Sequence, residues 1–100
     1  MSVAPAPALP AFEAFAREAR ARGFDEVVER RWAADLVLDQ HSHAFDVDAL
    51  VAQGEMWLTC GAQTQHLRTG ERFTLARDVP HAERYGAQGA TVWVARRHRA

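Results

Sequence analysis

From residue 26 to residue 95 the chain alternates apolar and polar side chains in short runs, each cut off by glycine, proline or aspartate. Period-two alternation places successive side chains on opposite faces of an extended strand, which a helix cannot accommodate. The runs predict strands at 27–32, 36–41, 47–53, 56–60, 65–67, 72–75, 81–85 and 91–95, with turns at Gly54, Gly61, Gly70, 78–80 and 86–89. So many short strands at such close spacing predict an all-β sandwich or barrel. One helix precedes them. Over 11–22, Phe12, Phe15, Ala16 and Ala19 recur at helical spacing among charged residues, and Gly23 stands where a helix ends. Alternating Ala and Pro at 1–10 predict a disordered or polyproline-like leader, leaving 11–100 as a single domain with its barrel at 26–96.

Charge narrows the function. With 12 basic and 13 acidic residues the net charge is −1, which argues against nucleic acid as a partner. Basic residues gather at Arg96, Arg97 and Arg99, which are expected to be a solvated tail. No apolar run approaches the roughly 20 residues of a membrane-spanning helix, and the N-terminus lacks the basic start and apolar core of a signal peptide. Cys60, the single cysteine, has no internal disulfide partner and is expected to be structural. A cytoplasmic protein without membrane or nucleic-acid partners is the expectation.

His41 and His43 form a His-x-His pair in a strand or at its end. Alternate strand residues share a face, so both imidazoles can aim at one divalent ion, although two surface histidines would look the same. The context is more specific. Asp35, His41, His43, Val47 and Gly54 succeed one another in a first block, and Gly70, Ala76, Asp78, His81 and Tyr85 in a second. The two blocks resemble the paired motifs of the cupin superfamily over residues 26–96, and the spacings from His43 to Gly54 and from Gly70 to His81 match without a gap. The resemblance implies a double-stranded β-helix, or jelly-roll, barrel with a short N-terminal helix. It also implies a metal held by His41, His43 and His81.

Departures from the motifs qualify it. Asp35, Ala76 and Asp78 replace turn glycines and a proline, and Val47 stands where the family has a glutamate ligand. Asp46 and Asp48 flank Val47 but turn away if it faces inward, unless a bulge rescues one of them. Three neutral imidazoles leave the ion its full charge and open positions, suited to a small polar or anionic ligand. Zinc or iron is the first expectation, with nickel, copper or manganese as further options.

Glu83 and Tyr85 share a strand face with His81 and are candidates for a catalytic acid and base or for partners of the ligands. Trp57 or Trp93 is the tryptophan expected to touch a ligand. His66 and His98 are expected to be ordinary surface histidines. Three-histidine cupins include thiol dioxygenases and enzymes forming N–N bonds, so the resemblance implies either an enzyme of such a type or a non-catalytic binding or sensing module. A homodimer is expected by analogy, with Val27, Val28, Trp32 and Leu36 as surplus apolar surface.

Overall fold

Two long strands carry the architecture. The computed structural model describes residues 10–99, so the leader expected at 1–10 lies, but for Pro10, outside the described residues. Helix α1 (Phe12–Ala21) is followed by β1 (Glu26–Trp32), β2 (Val37–His41), β3 (Asp46–Cys60), β4 (Gln63–Arg68), β5 (Arg72–Leu75) and β6 (His81–Arg97). The four segments expected at 47–53, 56–60, 81–85 and 91–95 are therefore two strands, β3 and β6. Gly54 and the stretch 86–89 bend these strands rather than ending them.

The bend has a physical basis. Gly54 and Gly89 both adopt positive φ, at 78° and 71°, and a Cβ on Gly54 would collide with the Gly89 carbonyl. The β3–β6 pairing shifts register between Val51 and Gln53 and again between Gly54 and Met56. Such bulges fold a strand over while it stays paired. The N-terminal half of β3 thus joins β5, the C-terminal half of β6 and β1 in one antiparallel face. The C-terminal half of β3 joins β4, the N-terminal half of β6 and β2 in the other.

The two faces close on a core that includes Val47, Ala49, Val51, Met56, Leu58, Phe73, Leu75, Tyr85 and Val92. Side chains of the opposite parity on the first face, Val27, Leu50, Trp93 and Ala95, meet Phe15, Ala16 and Ala19 of α1 in a second cluster. That face is buried on both sides. Val27 consequently lies beneath the helix and offers no surface to a second copy, contrary to the expectation. Among the described residues the exposed large apolar side chain is Val37, at 59%.

Asp35 and Asp78, which stand at the motif's glycine positions, take the left-handed conformation glycine would adopt, with φ of 58° and 64°. Aspartate tolerates that region better than most residues, so both turns survive the substitutions. The Asp78 N–H donates to the His43 carbonyl at 2.7 Å, tying the turn before β6 to the connection after β2. Asp78→Gly should remove the steric cost without disturbing that bond. We expect a gain of about 1 kcal/mol, seen as a melting temperature higher by roughly 5 °C.

Candidate metal centre

β2 and β6 pair so that His41 faces His81 across the ladder. His41 is the last residue of β2, while His43 lies beyond it in the connection to β3. Period two alone therefore does not aim His43. The Asp78–His43 backbone bond and a parallel stack on Phe45, with centroids 4.8 Å apart, hold it beside His81. One ring nitrogen from each histidine lies within 4.8 Å of the other two.

Hydrogen bonding sets the rings' chemistry. The Nδ1–H of His41 donates to the Asp39 carbonyl at 2.7 Å, and that of His81 to the Val79 carbonyl at 2.9 Å. Each Nε2 is then left with a lone pair pointing into the site, the tautomer a metal ligand needs. His81 is 2% exposed, and its Nε2 is buried without any hydrogen-bond partner. A buried acceptor left unpaired is costly, and a metal ion would satisfy it. The residues fit a divalent ion.

The rings open onto a cavity of about 130 Å³ within the barrel, walled by Leu38, Val47, Met56, Phe73 and Leu75 among others. Drug-sized ligands occupy pockets of roughly 300–1,000 Å³, so this space suits a much smaller molecule. Glu83 and Tyr85 line it, as the alternation along β6 predicts. The Glu83 carboxylate faces the histidines rather than pairing with Arg84 or Arg72, with an oxygen 4.0 Å from Nε2 of His41 and the other 4.0 Å from Nε2 of His81. Burial, then the neighbouring Glu83 charge, raises the Tyr85 hydroxyl well above the ordinary tyrosine range. That direction favours the protonated phenol at Tyr85.

Trp32, Arg30 and Arg96 also line the cavity, and the sequence pattern did not single them out for this role. Trp32 stacks on Tyr85 at 5.1 Å, and Arg30 lies over Trp32 at 4.6 Å. Trp93 instead packs on Phe12 and Phe15 under α1, and Trp57 lies between His66 and Arg84 on the outer surface. The tryptophan of the pocket is Trp32. Arg96, expected in a solvated tail, is drawn inward by the parity of Val92 and Val94.

No protein-family model matches the sequence, and no curated protein matches it either. Solved structures do match. KdgF from a Halomonas species superposes with a TM-score of 0.66 at 19% identity, over 74% of this chain and 69% of its own. An RmlC-like cupin from Shewanella frigidimarina NCIMB 400 gives 0.61 at 17% identity, over 70% and 63%. A variant oxalate decarboxylase from Bacillus subtilis gives 0.65 at 16% identity, over 71% of this chain and 20% of the larger enzyme. The fold is that of the cupins.

Within the cupin barrel, Val47 lines the cavity and the aspartates beside it turn away from the three histidines. Asp46 is engaged by Arg77 and Arg97, and Asp48 by Arg22 at 2.8 Å and Arg72 at 3.6 Å. No bulge turns either of them inward. His66 bonds Glu55 at 3.1 Å and His98 bonds Glu26 at 2.8 Å; neither joins the cluster, although His98 packs at 5.0 Å on the Phe45 ring that His43 stacks against. Cys60 is a free, half-buried thiol packed against the barrel core.

Burial, followed by repulsion from His41, His81 and Arg96, holds His43 below its ordinary value of 6.5. As pH falls the unfolded chain takes up this proton before the folded one does. The stability associated with neutral His43 is therefore complete above pH 6.5 and is lost as pH falls through the lower folded value. The melting temperature of the metal-free protein should drop as pH falls below 6.5, and His43→Gln should flatten that decline.

Proposed function

We propose that this protein is a small metallo-cupin that binds one divalent ion through His41, His43 and His81 and presents it to a small anionic or polar molecule. The observation that carries this reading is the buried, unpartnered Nε2 of His81, converging with two further imidazoles. Imidazole donors suit zinc, iron, copper and nickel; zinc or iron is the ion proposed, with nickel, copper or manganese as alternatives. An ion so held would act as a Lewis acid, polarising a bound ligand or activating a water. The guanidinium groups of Arg30 and Arg96 at the cavity wall favour an anion, Arg96 while also pairing with Glu26 at 3.3 Å.

An enzyme is the better-supported form of this proposal, because a carboxylate and a protonated phenol stand beside the metal position. Glu83 would accept a proton from the bound molecule and Tyr85 would donate a hydrogen bond to it. Oxygen-dependent and N–N bond-forming reactions are the classes proposed from the cupin resemblance. The alternative, a non-catalytic binding or sensing module, is favoured by the largely apolar cavity wall. Elemental analysis of protein purified without added metal tests the reading, together with azide binding to the loaded form. About one metal per chain and an azide-perturbed spectrum are expected for iron, copper or cobalt; protein that stays metal-free after reconstitution would defeat it.

Among the described residues no helix is long and apolar enough to cross a membrane. A cytoplasmic homodimer remains part of the proposal. Light scattering checks the dimer, with a mass near twice 11.2 kDa expected at micromolar concentration.

A further inference from the structure

Glu83 follows His81 by two positions on β6, so the strand projects both side chains into the cavity. Its side chain is only 12% exposed, and among the described residues no arginine forms an ion pair with it. The other carboxylates nearest the site, Asp46 and Asp48, are each held by two arginines. A half-buried carboxylate without a cation is costly and calls for one.

The geometry identifies the cation. Oε2 of Glu83 is 4.0 Å from Nε2 of His41, and Oε1 is 4.0 Å from Nε2 of His81. A hydrogen bond between ring and carboxylate would bring these atoms to about 2.7–3.2 Å, so neither distance is one. Donors bound to one ion at about 2.0–2.2 Å each stand roughly 3–4 Å apart, a spacing that each carboxylate oxygen approaches with one of the two rings.

We propose that Glu83 is the fourth protein ligand of the metal, supplied from β6 in place of the carboxylate that Val47 fails to provide from β3. The proposal rests on the three-histidine reading above. It gives the ion a negatively charged donor, lowers the site's net charge by one and sets the terms for an incoming anion, which must compete with the carboxylate or join it. It also complements the proton-accepting role, since a carboxylate released by an incoming chelate is then the base nearest to that molecule.

The decisive experiment is a crystal structure of the wild-type protein loaded with zinc, paired with zinc affinity for Glu83→Gln by chelator competition. A Glu83 oxygen about 2.0–2.2 Å from the ion is expected. Loss of even an indirect partner of a metal costs about 10–100-fold in affinity, and for this ligand we expect ~100-fold. Melting of the metal-free Glu83→Gln protein should be unchanged or raised, because an unpaired charge has been removed, and that readout separates ligand loss from misfolding. Zinc held by the three histidines with Glu83 more than about 3 Å away, behind a water, overturns this proposal and leaves the three-histidine reading standing. Wild-type protein that takes up no zinc, iron or manganese overturns both.

Discussion

His81→Ala is expected to abolish stoichiometric metal binding. His81 is the most deeply buried of the three histidines, and the Val79 carbonyl fixes its ring so that Nε2 has no other partner. Structural zinc sites with four ligands are worth about 10–16 kcal/mol in total, so one ligand accounts for roughly 3 kcal/mol, or about two orders of magnitude in affinity. His41→Ala should behave alike, because the Asp39 carbonyl orients that ring in the same manner. His66→Ala and His98→Ala should retain wild-type metal content, since their rings serve Glu55 and Glu26. Melting with and without added zinc gives an independent reading. The metal-dependent rise in melting temperature should vanish in His81→Ala and persist in His66→Ala. A His41/His81 double alanine variant that still carries one metal per chain would refute the assignment.

The histidines were legible in the sequence because their positions depend on spacing, and spacing survives the changes in turn residues. Asp35 and Asp78 show why: each adopts the backbone conformation of the glycine it replaces, so the turns deliver β2 and β6 in register. Phase was harder to read. A bulge shifts the inward parity of β3 from odd residues (Val47, Ala49, Val51) to even ones (Met56, Leu58), and β6 changes from odd to even between Tyr85 and Ala90. A glycine at such a point resembles a turn, as Gly54, Gly86 and Gly89 do, which is why two bent strands look like four.

Parity also explains the residues that alternation did not reveal. The face beneath α1 is buried on both sides, so hydrophobicity does not distinguish Trp93, which meets the helix, from Val92, which meets the barrel interior. Arg96 follows the even parity of Val92 and reaches the cavity, whereas Arg97 turns outward to Asp46. Two arginines adjacent in sequence thus lie on opposite faces of β6, and each meets a carboxylate, Arg96 that of Glu26 and Arg97 that of Asp46.

Val47→Glu is expected to tighten metal binding and weaken the metal-free fold at the same time. Val47 is 7% exposed, belongs to the barrel core and lines the same cavity as the three histidines. A carboxylate there enters a largely apolar enclosure, with Arg96, its partner across the ladder, as the nearest cation on that wall. Loss of valine packing and burial of the carboxylate should cost the metal-free protein about 1–3 kcal/mol. With metal present the sign reverses. The added charge and bond should raise affinity by about tenfold or more, while azide binds more weakly to an ion of lower net charge with one position filled. The stabilisation conferred by metal should therefore exceed that of the wild type, measured as the difference between loaded and metal-free melting temperatures. The same substitution at an outward-facing neighbour gives the contrast: Asp48→Glu keeps its charge among Arg22 and Arg72 and should leave metal affinity unchanged. Unaltered metal and azide affinities in Val47→Glu would mean that this side chain does not look onto the ion, and that the inward parity assigned to β3 is wrong at its first turn of pleat.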